Sequence, residues 1–263
     1  MDEREDQWIA DTADALLAAE RQRAPLTALT VRSPGLSLED AYRVQAAAVA
    51  RRIASGARVV GHKAGLTSKA MQQQMGVSEP DSGVLLDDMV LPSGSRLHRR
   101  ELLQPRVEAE IAFVLGCDLA GPDVDTAAAR AAVKEVLLAL EVIDTRFTNW
   151  RLALADSIAD NASCSRVVTG PMVALSTDVD PAAEPVVVSV NGMAVATGEG
   201  RAVLDDPFRP LVWLAQRLHR SGDRLRAGQL VLAGAVHASL PLEAGTTVRA
   251  RSPHLPPVEL HVL

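Results

Sequence analysis

The sequence predicts an α+β protein in which a helical N-terminal part precedes a strand-rich body. Three observations lead there. Apolar residues recur at helical spacing up to about residue 55, and short apolar segments broken by Gly and Pro take over from Val59. Strands and helices beyond that point do not alternate regularly, as they would in a doubly wound sheet. The expected organisation is one domain over 1–263, with helices in 1–58 and the β-rich body in 59–263.

In DQWIADTADALLAAERQR the apolar positions Trp8, Ile9, Ala13, Leu16 and Leu17 fall three and four apart, which describes one face of a helix. After the turn signal Ser33-Pro34-Gly35, Ser37 followed by Glu39 and Asp40 reads as the capped start of a second helix. Gly56 suits its stop. The segments VVGHKAGL, VLLDDMVL and VEAEIAFVL read as strands or strand–loop units, and TAAARAAVKEVLL (126–138) as a helix running into the buried strand LALEVIDTR. In EPVVVSVNGMAVATG, Asn191-Gly192 between two apolar runs predicts a hairpin. A helix is expected over Pro210–Ser221, then further strands separated by Gly-containing turns.

Composition excludes several classes. The formal charge is −6 and no Lys/Arg run exceeds two residues, so no basic face for nucleic acid is available. No apolar stretch approaches the roughly 20 residues of a membrane span. The acidic, amphipathic N-terminus is unlike an export signal, and Cys117 and Cys164 have no metal or disulfide spacing. A cytoplasmic protein is expected, with both cysteines as small buried hydrophobes. No G-x-G-x-x-G follows a strand, and no G-x-S-x-G is present.

The chemistry concentrates in VEAEIAFVL. On a strand Val107, Ala109, Ile111, Phe113 and Leu115 point one way and Glu108 and Glu110 the other, about 7 Å apart at Cα. Burying two neighbouring carboxylates without a cation is costly. A third acid, Glu141, lies in the apolar run VLLALEVI and needs a compensating charge. Three carboxylates without paired histidines describe a hard oxygen site for Mg²⁺ or Mn²⁺. A solvated strand face opposite Arg or Lys also fits Glu-x-Glu spacing. The six histidines (62, 98, 219, 237, 254 and 261) show no metal-binding spacing.

Lys63, Lys69 and Lys134 are the only lysines in a chain otherwise served by arginine. Burial can bring a lysine amine towards neutrality, which a guanidinium does not permit. Lys63, in VVGHKAGLTS, is the candidate; Lys134, on the expected helix, and Lys69 read as surface residues. Asp81 stands in the turn-rich SEPDSGVLL, where a turn role is the simpler reading. The small polar stretch DSIADNASCS is either a plain loop or a carboxylate-binding surface.

Taken together, GHKAGLTSKAMQQQMGVSEPDSGVLLDDM, LQPRVEAEIAFVLGCDL, LALEVIDTRFTNW and ADNASCS resemble the 2-keto-4-pentenoate hydratase/4-oxalocrotonate decarboxylase family of the fumarylacetoacetate hydrolase fold superfamily. The resemblance is specific over about 61–170 and weaker beyond. It implies a mixed β-roll body of the fumarylacetoacetate hydrolase C-terminal type and a homo-oligomer; aromatic hydrocarbon catabolism is the expected setting, with steroid ring degradation and a biosynthetic offshoot as alternatives. It places the metal-binding glutamates on Glu108, Glu110 and Glu141, the active-site lysine on Lys63, and the acid of the P-D-x-G loop on Asp81. The implied activity is a hydro-lyase adding water to a short 2-hydroxy-2,4-dienoate; the alternatives are a 2-oxo acid decarboxylase and an acylpyruvate-type hydrolase. A subunit that has lost activity and acts as a scaffold is the non-enzymatic reading. Arg106 and Ser163 are candidates for holding the substrate carboxylate. The chain departs from the family pattern at Asp205-Asp206-Pro207 and at the turn GAVHASLPL, which leaves substrate identity open.

Overall fold

The first helical pair forms as the spacing requires. The computed structural model describes residues 3–68, 72–73, 77–176 and 178–263; Lys69 lies outside them. Helix α1 (Glu3–Gln22) opens on Glu3, Glu5 and Asp6 and closes on Arg21, charges that match the helix dipole. After the short α2 (Leu29–Arg32), α3 (Leu38–Ala54) is capped by Ser37, whose Oγ accepts from the Asp40 amide at 3.0 Å.

The body begins with β1 (Val59–Gly65), β2 (Asp81–Leu86), β3 (Val90–Pro92), β4 (Ser95–Leu97) and β5 (Arg106–Leu115). Helix α4 (Thr126–Ala132) leads directly into β6 (Val133–Ile143). The helix expected over 126–138 therefore ends at Ala132. From Val133 the chain pairs with β5, and alternate residues enter two different cores: Val136, Leu138 and Leu140 on one face, Leu137 and Ala139 on the other. Tertiary pairing overrides the local helical preference.

Next come α5 (Leu154–Ala159), β7 (Cys164–Thr169), β8 (Val173–Ala174), β9 (Pro185–Val190) and β10 (Met193–Glu199). Asn191 and Gly192 have φ of 50° and 82°, the backbone of the predicted β9–β10 hairpin. Helix α6 (Phe208–Arg220) precedes β11 (Leu230–Ala235), β12 (Leu240–Pro241), β13 (Thr247–Arg251) and β14 (Val258–Val262). The unusual Asp205-Asp206-Pro207 has a local purpose: Asp206 accepts the Phe208 amide at 2.9 Å and starts α6.

The strands form two mixed sheets. The larger runs β2-β1-β11-β5-β6-β7-β3, with β12 added to β5 and β8 to β6; the smaller runs β10-β9-β13-β14-β4. One face of the large sheet packs against the small sheet and α6, using the odd-numbered residues of β5 from Val107 to Leu115. A separate cluster joins α1, α3 and α5 around Phe147. Among the described residues no helix is long and apolar enough to cross a membrane. Cys164 is buried as expected, but Cys117 is exposed because it follows β5 into a turn, where the alternation has ended.

Candidate active site

Strand alternation turns Glu108 and Glu110 away from the main core, and β6 presents Glu141 on the same side as Leu137 and Ala139. The β5–β6 register sets Glu141 directly opposite Glu108. One carboxylate oxygen from each of the three glutamates lies within 4.8 Å of the others. Glu110 is 1% exposed and Glu141 0% exposed, so a solvated strand face does not describe them.

The charges respond accordingly. Burial first, and then Glu141, push Glu108 up to about 7, against the pull of Lys63 and Arg106. The same causes drive Glu110 well above the usual carboxylate range. Glu110 has one fixed partner, the Gly234 amide, which donates to its Oε2 at 2.8 Å. Gly234 adopts φ +121°, and a Cβ there would lie 1.8 Å from Thr67 Oγ1, so only glycine brings this amide to the glutamate.

From β1, Lys63 Nζ stands 2.9 Å from Glu141 Oε1 and donates to the Ala162 carbonyl at 2.9 Å. Burial opposes its charge, but Glu141, Cys164, Asp81 and Glu108 outweigh that and hold its ammonium above the ordinary lysine range. Asp81 opens β2, paired across to Gly65, and accepts from Ser157 Oγ at 2.9 Å. It is buried rather than an exposed turn residue, and burial raises its pKa despite Lys63 and Ser157. Lys134 is exposed, at the start of β6 rather than on a helix.

Arg106 precedes Glu108 by one strand repeat. It is tied to Ser239 through Nε to Oγ at 2.7 Å and Nη2 to the carbonyl at 2.6 Å. Ser163 is buried, in the turn just beyond Ala162. Three buried side-chain atoms have no partner among the described residues, Asp81 Oδ1, Glu141 Oε2 and Ser163 Oγ, while Glu141 Oε1 meets only the Lys63 ammonium. Orphaned buried acceptors beside a carboxylate trio are what a divalent cation and an oxygen-rich ligand would satisfy. The donor set, oxygen only and unpaired by histidine, fits Mg²⁺ or Mn²⁺.

Sequence reasoning missed three residues here. Gly234 was signalled only by a lone glycine inside an apolar strand. His237 accepts the Ala109 amide, between Glu108 and Glu110, at Nε2 (3.0 Å), and its Nδ1 donates to the Ala238 carbonyl at 2.7 Å. It fills the gap where β11 leaves β5 before β12 joins it, and burial lowers its pKa, which suits a ring nitrogen that accepts. Asn161 lies within the small polar stretch DSIADNASCS and bonds to β2.

A helix-fronted pair of curled mixed sheets around a lysine and three carboxylates, two buried and one partly buried, defines a class of metal-dependent enzyme. The chain belongs to the fumarylacetoacetate (FAA) hydrolase C-terminal family, whose model matches residues 52–263. It is 42% identical to a 2-hydroxypent-2,4-dienoate hydratase of Pseudomonas putida over 215 residues, covering 81% of this chain and 97% of the relative. It is 39% identical to a 2-keto-4-pentenoate hydratase of Paraburkholderia xenovorans (strain LB400), covering 89% of this chain and 87% of the relative. Among solved structures, 4-oxalocrotonate decarboxylase from Pseudomonas putida G7, complexed with magnesium and adipate, superposes with a TM-score of 0.95 at 33% identity over 98% of both chains.

Proposed function

We propose that the chain is a divalent-metal-dependent hydratase that adds water to a short 2-hydroxy-2,4-dienoate, giving a 4-hydroxy-2-oxo acid. The observation that carries this reading is the Lys63–Glu141 contact inside the glutamate trio, with Asp81 buried nearby. The relatives' names supply the substrate class. Glu108, Glu110 and Glu141 would hold Mg²⁺ or Mn²⁺, and the ion when bound supplies Lewis-acid stabilisation of negative charge on the 2-oxo oxygen.

The chain's own groups do the rest. Lys63, held as an ammonium, faces the negative charge that develops at the substrate's C2 oxygen as the 2-hydroxyl proton passes to solvent. Asp81, raised towards the protonated form, delivers a proton to C5, which converts the dienol to a 3-en-2-one. It then takes a proton from water as that water adds to C4, and the Lys63 ammonium gives a proton to C3 and is recharged from solvent by the equivalent of the proton lost from the 2-hydroxyl. The Arg106 guanidinium and the Ser163 hydroxyl bind the substrate carboxylate. The two free cysteines fit a reducing cytoplasm, and Met193 and Val195, exposed on the open edge strand β10, fit a homo-oligomer.

The second reading is decarboxylation of a dicarboxylic 2-oxo acid with the same groups. The close superposition on the decarboxylase favours it, and so does Arg106, a cation beside Glu108 that a distal carboxylate would need. For the hydrolase reading His237 is not a free base, because both of its ring nitrogens are already engaged by main-chain groups.

The deciding assay uses enzymatically generated 2-hydroxypenta-2,4-dienoate and follows loss of dienol absorbance, with the product identified by mass. Gain of one water, abolished by EDTA and restored by Mg²⁺ or Mn²⁺, is the expected result. No hydration, with CO₂ released from 2-oxohex-3-enedioate instead, would move the chain to the decarboxylase branch.

A further inference from the structure

Lys63 and Asp81 come from two neighbouring strands, and one short turn touches both strands. Residues 161–163 have φ of 54°, 49° and 56°: three consecutive non-glycine residues in the left-handed region. Each such residue is strained by about 1 kcal/mol or more and persists only where its surroundings fix it.

The surroundings here are specific. The Asp160 carboxylate pairs with the buried Arg146 guanidinium and also accepts from the Arg146 amide and Thr145 Oγ1, each at 3.0 Å. Arg146 Nη2 donates to the Asp160 carbonyl at 2.5 Å, and the Asp144 amide donates to the Ser163 carbonyl at 2.8 Å. Both ends of the turn are therefore anchored to the segment that follows β6. Between the anchors, the turn's own groups reach outward to the site.

Asn161 is the contact to β2. Its Oδ1 accepts the Val84 amide at 2.8 Å and its Nδ2 donates to the Val84 carbonyl at 2.9 Å, as a neighbouring strand would. β2 is an edge strand of the large sheet, so this amide supplies pairing that no strand provides there. The backbone approaches closely as well: a Cβ at Gly83 would lie 2.6 Å from the Asn161 carbonyl oxygen and 3.1 Å from Lys63 Cγ. The next residue, Ala162, offers its carbonyl to Lys63 Nζ.

We infer that Asn161 is a positioning residue, which holds the Asp81 strand and the Lys63 ammonium in fixed mutual register through the left-handed turn. This deepens the proposed reading and rests on it, because it takes Lys63 and Asp81 as the proton-transfer pair. An Asn needed only for the turn's backbone would be replaceable by glycine, which adopts the same φ without strain. An Asn needed for its amide would not.

The test compares wild type with Asn161→Gly in the Mg²⁺-loaded protein. The side-chain ammonium signals of the three lysines are recorded by ¹⁵N NMR and assigned with Lys69→Arg and Lys134→Arg. Mg²⁺ affinity and steady-state kinetics on the dienoate accompany them. The expected result is a displaced or broadened Lys63 signal with kcat lowered at least about tenfold, while KM and Mg²⁺ affinity stay within about threefold. An unmoved Lys63 signal with kcat within about twofold of wild type, even with a lower Tm, would overturn the inference and leave Asn161 a stabilising residue. If wild type turns over no dienoate or 2-oxo acid, the functional reading fails separately, and movement or constancy of the Lys63 signal still decides the positioning claim. Should Asn161→Gly not fold, Asn161→Asp, which tolerates the same φ and loses the donor to Val84, is read on the same signals.

Discussion

Glu141 stands directly opposite Glu108 across β5 and β6, and the nearest cation to this like-charged pair is Lys63, 2.9 Å from Glu141. Opposed carboxylates on one sheet face destabilise the sheet unless a cation lies between them. Three glutamates against one ammonium leave the cluster short of positive charge.

Metal binding should therefore stabilise the fold, and more so at higher pH. Glu108 is raised to about 7 in the folded apoprotein, above its unfolded value, so its contribution is present at low pH and is lost as pH rises through 7. Thermal unfolding of EDTA-treated protein should show a lower Tm at pH 8 than at pH 6. Saturating Mn²⁺ at about 100 Kd should add about 2.7 kcal/mol, worth several degrees. Calorimetry should find the affinity falling below pH 7, as protons compete for the carboxylates.

Lys63→Met removes the ammonium while keeping most of the side chain's volume. Turnover should drop by about 10²–10⁴-fold, with Mg²⁺ content by metal analysis unchanged. Activity within a few-fold of wild type would remove Lys63 from the proton-transfer scheme.

Gly234→Ala would force a Cβ to within 1.8 Å of Thr67 Oγ1 at a φ that disfavours side chains. A loss of roughly 2–4 kcal/mol in denaturant unfolding is expected, together with weaker metal binding as the Gly234–Glu110 bond lengthens. Thr67→Ala in the same chain should recover part of the stability by removing the nearest atom.

His62 lies on β1 with its ring buried, and burial depresses its pKa to about 4. A depressed base stabilises the fold above its unfolded value of about 6.5, and that stability drains away as pH falls towards 4. The difference corresponds to roughly 3 kcal/mol. Chemical denaturation at pH 7 and pH 4.5 should show the loss, and His62→Gln should flatten it.

The glutamates were legible because strand alternation and a lone acid in an apolar run are one-dimensional signals. Lys63 stood out against an arginine-rich background. The N-terminal helices, the Asn191-Gly192 hairpin and α6 were legible for the same reason: periodicity and turn chemistry are local. The stretch from Val133 to Leu138 was not, since its strand state depends on pairing with β5. Nor was the Asn161 turn or the His237 acceptor, because each depends on backbone conformation fixed by distant residues such as Arg146 and Ala109.

Several connections around the site end on peptide groups: the Gly234 amide on Glu110, the Ala162 carbonyl on Lys63, the Ala109 amide on His237 and Val84 on Asn161. No substitution of Ala162, Ala109 or Val84 other than by proline deletes these main-chain groups. Drift in those side chains therefore leaves the wiring of the reactive centre in place. The side chains that must be kept are those at the other end of each connection, Glu110, Lys63, His237 and Asn161, so sequence change can collect at positions that contribute only their main chain.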